Sequence, residues 1–164
     1  MRVREALLSL SVGLAGRGFG STANRVLLAS SFPGEGKSSI AIAFGRMLAD
    51  QGREVLLIDA DFRRPQVSQS FELAGRPGVS DLVLGQARAR EVVHRDPSSS
   101  LRLVPAGTSS GSLGKLLETD ALASLLDQLA TKEDCVIIDS PPALVVPDAL
   151  MLCCVVDHTV LVTR

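Results

Sequence analysis

Short apolar runs alternate with amphipathic segments along the chain. Four mainly apolar runs of four or five residues stand out, namely VLLAS at 26–30, VLLI at 55–58, CVII at 135–138 and TVLVT at 159–163. Runs of this length are typical of strands buried on both faces of a parallel sheet. The pattern therefore predicts interior strands in an α/β fold whose helices cover both faces of a mostly parallel sheet. A shorter run at 101–104, interrupted by Arg102, predicts a weaker strand.

A helix is predicted between the first two strands. Ile40, Phe44, Met47 and Leu48 repeat at helical spacing and would form one apolar face. Gly52 follows at the place where the end of a helix favours a left-handed residue. Together these residues predict a helix of about 14 residues.

A second helix is predicted before the CVII strand. Leu122, Leu125, Leu126 and Leu129 repeat the same geometry. They follow Thr119 and Asp120, two residue types that favour the N-cap position and so predict where the helix begins.

The two ends of the chain predict further helices. Leu7, Leu10 and Leu14 stand at helical spacing and predict an outlying helix before a glycine-rich link at 13–20. A further helix is predicted over residues 147–154. The chain ends directly after an apolar strand, so we expect a further covering layer to lie outside this sequence.

Composition is typical of one folded domain. The 164 residues are 46% hydrophobic and 21% charged, which is too apolar for a disordered chain. The net charge of −1 provides no basic field to attract nucleic acid, so nucleic acid is not an expected partner.

Cysteine usage indicates a reducing, cytoplasmic compartment. Cys135, Cys153 and Cys154 are an odd number, and the adjacent pair is poorly placed to form a disulfide. We expect buried apolar thiols in place of metal ligands. The sequence has no apolar stretch of membrane-spanning length and no signal-peptide pattern, so we expect neither insertion nor export.

A phosphate-binding loop is predicted between the first strand and the first long helix. Residues 31–39 read SFPGEGKSS, with Ser31 where this motif usually has its first glycine. Glycines allow successive backbone N–H groups to face phosphate oxygens at the positive end of a helix. Lys37 would reach the β and γ phosphates, and the Ser38 hydroxyl would bind Mg²⁺. The residues expected to bind the phosphates are Pro33, Gly34, Glu35, Gly36, Lys37, Ser38 and Ser39.

Acidic residues end two of the predicted strands. Asp59 and Asp61 follow the VLLI run, and Asp139 follows the CVII run. The carboxyl ends of parallel strands face the crevice in which such sheets bind ligands. Asp59 and Asp61 could share a Mg²⁺ ion, or one of them could act as a base. Asp139 is expected to hold Mg²⁺ directly or through water.

Three motifs resemble those of the bacterial tyrosine kinases of polysaccharide export, which are P-loop ATPases related to the partition and cell-division ATPases. The motifs are SFPGEGKSS at 31–39, LLIDADFRRP at 56–65 and VIIDSPP at 136–142, and the resemblance covers residues 27–164. It implies a three-layer P-loop NTPase fold cut short at its C-terminus. Residues 1–24 would be an N-terminal helix and link, and residues 25–164 the kinase domain.

The resemblance also implies roles for individual residues. Lys37 would bind phosphates of ATP or ADP, while Ser38, Asp59 and Asp139 would hold Mg²⁺. Asp59 or Asp61 would help to deprotonate the acceptor hydroxyl, so the implied catalytic residues are Lys37, Asp59, Asp61 and Asp139.

The implied partners are a membrane chain-length-determinant activator, other copies of the chain in a homo-oligomer, and a protein tyrosine acceptor in trans. The domain would lie at the cytoplasmic face of the membrane through a partner or a fused segment.

Departures from the family pattern keep two alternatives open. The sequence contains no tyrosine, and Leu8 and Ser11 follow Glu5 where the family has assembly arginines. One alternative is a positioning ATPase switch, which would carry a lysine at Phe32 and Pro-Gln at 62–63. The other is a nucleotide-binding regulatory module with weak catalysis.

Overall fold

A computed structural model describes residues 2–17, 24–108, 119–130, 135–146 and 148–163. The strands are β1 Asn24–Ser30, β2 Val55–Asp59, β3 His94–Arg95, β4 Arg102–Val104, β5 Cys135–Asp139 and β6 His158–Val162. The helices are α1 Arg2–Ala15, α2 Lys37–Asp50, α3 Gln66–Ser70, α4 Val79–Val83, α5 Ala89–Val92, α6 Thr119–Leu129 and α7 Asp148–Leu152, with a 3₁₀ turn at Cys153–Val155. Within the described ranges, no helix combines the length and apolarity needed to cross a membrane.

The strands form one sheet in the order β3-β4-β2-β5-β1-β6. All neighbouring pairs are parallel except β3 with β4, which are antiparallel. The predicted α/β fold with a mostly parallel sheet is therefore confirmed. The prediction of an interior strand at 159–163 is wrong for the described part of the chain. There β6 pairs only with β1 and lies at the sheet edge. Thr159 and Leu161 are exposed because they are not packed in the apolar cluster on their face of the sheet.

Helices cover both faces of the sheet because successive strand residues point to opposite sides. Leu28 and Leu57 pack with Phe44 of α2 on one face. Leu27 packs with Leu126 of α6 on the other face. Two apolar clusters with one sheet between them give the three layers that the resemblance implied.

The first helix is part of the core and does not lie apart as predicted. Leu7 and Leu14 are buried in the same cluster as Phe44 of α2. The apolar stripe that predicted a helix is the stripe that packs against the domain. Residues 18–20 of the predicted link lie outside the described residues.

The other predicted helices are present with shifted ends. Helix α2 has the predicted 14 residues, and Gly52 has the left-handed φ of 84° expected after its end. Thr119 and Asp120 are already helical residues of α6 and so do not occupy the predicted N-cap position, and residues 109–118 before them lie outside the described residues. The helix predicted over 147–154 becomes α7 and the 3₁₀ turn, with position 147 outside the described residues. Helices α3 to α5 and strand β3, of two to five residues each, were not predicted because they neither show a helical period nor form a continuous apolar run.

Candidate functional site

The loop between β1 and α2 turns back sharply on itself. Gly34 and Gly36 have φ angles of 84° and 89°, in the left-handed region that favours glycine. Helix α2 begins immediately afterwards at Lys37. The loop therefore presents backbone N–H groups at the positive end of a 14-residue helix, an arrangement that suits phosphate binding.

Lys37, Ser38 and Asp139 form a buried cluster at the base of this loop. The Lys37 ammonium forms an ion pair with Asp139 Oδ1, and the two side chains are 7% and 0% exposed. Ser38 Oγ donates to Asp139 Oδ2 at 2.6 Å, so both carboxylate oxygens are engaged. Burial raises the pKa of Asp139. The charge of Lys37 and the hydrogen bonds that Asp139 accepts from Lys37 and Ser38 oppose this increase.

Asp59 lies beside Asp139 because β2 and β5 pair in register at these two residues. Asp59 Oδ2 accepts hydrogen bonds from Ser68 N and Ser68 Oγ, both at 2.8 Å. Its Oδ1 accepts one from Asp61 N at 3.2 Å. Burial raises the pKa of Asp59 to about 7 and the neighbouring Asp139 charge adds to the increase, while the bonds from Ser68 and Asp61 oppose it.

Asp61 closes a tight turn directly after β2. Its Oδ1 accepts hydrogen bonds from Arg63 N at 3.2 Å and from Arg64 N at 2.9 Å. The turn therefore places one carboxylate and two arginines together at the carboxyl end of the sheet.

A cleft of about 650 Å³ opens between the loop and these residues. Its lining includes every residue predicted to bind phosphate, from Pro33 to Ser39, together with Asp61, Arg63 and Arg64. Asp59 and Asp139 are not among the lining residues and are both fully buried. The predicted site residues therefore lie in two layers, with Asp61 at the cleft and Asp59 and Asp139 behind it.

The donor set fits a hard divalent cation that is also bound by phosphate. Magnesium is usually held by one or two carboxylates or hydroxyls together with substrate phosphates and water. Ser38 and Asp139 supply such oxygen donors, and Asp59 stands next to them in register. Among the described residues, no three His, Cys, Asp or Glu side chains converge as a protein-only metal cage.

Sequence reasoning missed Ser68, which is buried and donates twice to Asp59. It lies outside all three motifs, and no local pattern distinguishes it from the exposed Ser70 two residues later. The prediction of buried thiols holds for Cys135 alone. Cys153 and Cys154 are exposed because they lie in the 3₁₀ turn before the edge strand β6.

Comparison with known families gives a match over most of the chain. Residues 25–163 match the family model described as an AAA domain. The chain is 35% identical over 137 residues to the tyrosine-protein kinase YwqD of Bacillus subtilis, covering 84% of this chain and 58% of that protein. It is 34% identical over 149 residues to the succinoglycan biosynthesis transport protein ExoP of Rhizobium meliloti, covering 89% of this chain and 18% of that protein. The chain therefore spans only part of the length of these relatives.

A solved structure supports the same relationship. The crystal structure of the VpsO kinase domain is 33% identical and superposes with a TM-score of 0.85, covering 98% of this chain and 79% of that one. More distant structures at 20% and 23% identity, solved with bound Mg-ADP or with ADP and magnesium, share the fold alone.

Proposed function

The chain belongs to the AAA domain family and, within it, to the bacterial tyrosine kinase domains, and from this membership we propose that it binds Mg·ATP and transfers a phosphoryl group to tyrosine in a protein of capsular or exopolysaccharide export. The observation that carries the proposal is the buried cluster of Lys37, Ser38 and Asp139 at the start of α2. Burying this ion pair costs desolvation energy, and its position at the start of α2 in the lining of the cleft places a positive charge where a phosphate would bind.

The loop and α2 supply the phosphate-binding groups. Gly34 and Gly36 let the backbone N–H groups turn toward the cleft, and Lys37 supplies positive charge for the β and γ phosphates. Ser38, Asp139 and Asp59 would hold Mg²⁺. When bound, this ion neutralises charge that builds up on the transferred phosphoryl group.

Asp61 is the carboxylate that we propose to contact the acceptor hydroxyl. It lines the cleft, whereas Asp59 is fully buried behind it. A general base must come within hydrogen-bonding distance of the proton that it takes, and this requirement favours Asp61. Arg63 and Arg64 line the same cleft and are proposed to contact phosphate, the acceptor or a neighbouring subunit.

The acceptor and the partners are proposed from the family. The 164 residues contain no tyrosine, so the acceptor is a tyrosine outside this sequence. Kinship with ExoP, whose name refers to succinoglycan biosynthesis and transport, supports a role in polysaccharide export. We accordingly propose a membrane chain-length-determinant activator that holds the domain at the cytoplasmic face of the membrane. We also propose a homo-oligomer that presents acceptors in trans.

Two alternatives predict different behaviour. In a positioning ATPase switch, ATP would drive dimerisation of the chain, but the loop carries Phe32 where that class has a second lysine. In a regulatory module, the chain would bind nucleotide and transfer no phosphate. The absence of tyrosine is compatible with such a module, whereas 33% identity to a kinase domain favours transfer.

The test is incubation of the chain with labelled ATP, Mg²⁺ and a tyrosine-rich peptide, with Lys37→Met as the matched control. We expect label on peptide tyrosine, none on the chain itself, and a large loss of transfer in Lys37→Met. If the chain binds nucleotide but transfers no phosphate to the peptide, with or without an activator segment, the result would favour the regulatory module. Fast turnover accompanied by ATP-dependent dimerisation and no transfer would favour the switch.

A further inference from the structure

Ser68 is a buried hydroxyl that the proposed mechanism does not use. It is 2% exposed and lies in the middle of the short helix α3. Its backbone N–H and its Oγ both donate to Oδ2 of Asp59 at 2.8 Å. One residue thus provides two of the three hydrogen bonds that Asp59 accepts from the described part of the chain.

The Ser68 hydroxyl is itself held in one orientation. Its oxygen accepts a hydrogen bond from Ala106 N at 3.0 Å while its proton goes to Asp59. A hydroxyl that accepts on one side and donates on the other has little freedom to rotate. Ser68 therefore connects Asp59, at the end of β2, with the backbone that follows β4.

That backbone is tightly fixed. Val79 N donates to Pro105 O at 3.0 Å, and Ser80 N donates to Ala106 O at 2.9 Å. A Cβ atom added at Gly78 would lie 2.0 Å from Pro105 O, so the two segments touch backbone to backbone. The donor that orients Ser68 is therefore preorganised.

The bonds from Ser68 divide the two oxygens of Asp59 into different roles. Oδ2 is satisfied twice at short distance, whereas Oδ1 accepts only the 3.2 Å bond from Asp61 N among the hydrogen bonds of the described residues. We propose that Ser68 is a positioning residue that holds the Asp59 carboxylate so that Oδ1 is directed to the Mg²⁺ side of the nucleotide site. This inference rests on the proposed function, because it requires that the cleft binds Mg·nucleotide. Outer-sphere partners of this kind typically change metal affinity about 10- to 100-fold when removed.

The test is the Mg²⁺ dependence of binding of a fluorescent ADP, mant-ADP, to the purified chain. Ser68→Ala removes the hydroxyl, and Ser68→Thr retains it. Ser70→Ala is the matched control, since Ser70 lies on the same helix, is exposed, and its hydroxyl donates to Gln66 O at 2.7 Å. We expect Ser68→Ala to raise the Mg²⁺ concentration at half-maximal binding by about tenfold. Affinity for mant-ADP in EDTA should remain at the parent value in all three variants.

The outcomes separate the two proposals. If the parent binds mant-ADP with no dependence on Mg²⁺, the proposed function is wrong and the inference fails with it. If the parent depends on Mg²⁺ but Ser68→Ala has the parent's requirement, or loses only thermal stability, Ser68 has a structural role alone and the inference is overturned. Should Ser68→Ala fail to fold, the same Mg²⁺ titration is done with Ser68→Cys, because a thiol fills a similar volume and is a poor hydrogen-bond donor. The same two outcomes then support or overturn the inference.

Discussion

Lys37 and Asp139 stand 102 residues apart in the chain and form an ion pair in which both side chains are almost completely buried. The pair joins the start of α2 to the end of β5, and Ser38 Oγ donates to the same carboxylate at 2.6 Å. Asp139 therefore has a cationic and a hydroxyl neighbour in place. Under the proposed function, phosphate competes with Asp139 for Lys37 when nucleotide binds.

Replacement of Lys37 should lower both nucleotide affinity and stability. Lys37→Met removes the cation, so nucleotide affinity should fall at least about tenfold, or about 1.4 kcal/mol. Stability should also fall, because Asp139 then stays buried without its partner. Isothermal titration with ATP and Mg²⁺ gives the affinity, and urea unfolding gives the stability.

The double variant Lys37→Met/Asp139→Asn is the control for that experiment. It removes both charges, so it should regain part of the stability without regaining nucleotide affinity. Unchanged affinity in Lys37→Met would contradict the assignment of the loop.

Replacement of the two buried carboxylates should reduce metal-dependent turnover, and Asp139→Asn should also lower stability because it leaves the Lys37 ammonium buried without its partner. Asp59→Asn and Asp139→Asn retain the shape of each side chain but remove the charge expected to attract Mg²⁺. We expect ATP turnover at limiting Mg²⁺ to decrease by about 10- to 100-fold. A Mg²⁺ titration of ATP hydrolysis measures this effect, and parental rates in both variants would show that the metal assignments are wrong.

An ion pair away from the site, between the partly exposed Arg46 side chain and the buried Asp96, should make stability depend on acid pH. Arg46 Nε donates to Asp96 Oδ2 at 2.7 Å and Arg46 NH2 donates to Oδ1 at 3.1 Å. The bond from Arg46 lowers the pKa of Asp96 to about 2, against about 3.9 in an unfolded chain. Because the folded-state pKa is the lower one, this contribution is complete above about pH 4 and is lost as the pH falls toward 2.

Asp96→Asn isolates that contribution. At pH 7 it should cost about 1 to 3 kcal/mol in the free energy of unfolding measured in urea. The difference in the free energy of unfolding between parent and variant should decrease from pH 4 to pH 2, whatever other groups titrate in that range. A difference in the free energy of unfolding that stays constant with pH would rule out the ion pair as its source.

Two glycines should respond in opposite directions to the same change. Gly78→Ala would bring a Cβ atom to 2.0 Å from Pro105 O, so it should destabilise the chain by about 1 to 3 kcal/mol. Gly13 lies within α1, and a Cβ atom added there would meet nothing within 4 Å. Gly13→Ala should therefore stabilise the folded chain by about 0.5 to 1 kcal/mol. Thermal unfolding of both variants checks the pair, and similar shifts in the two would contradict it.

Local patterns in the sequence determined the elements that define this fold. The apolar runs that became β1, β2 and β5, and the spacing of Phe44 and Leu48 in α2, depend on residues near one another in the chain. The glycines and Lys37 of the loop are also local, because backbone φ angles and a helix start need no distant partner. For this reason the sequence alone predicted the α/β fold and the place of the candidate site.

Only the tertiary structure decided how the site residues are layered and what holds them. Strand register, which joins positions 80 residues apart, sets Asp59 beside Asp139. All three carboxylates are buried, but Asp61 alone of the three lines the cleft. The two bonds from Ser68 and the edge position of β6 arise in the same way, from segments brought together by folding. Periodicity reports which face of an element is apolar and carries no information about which distant side chain will meet it, because that depends on the packing of the whole domain.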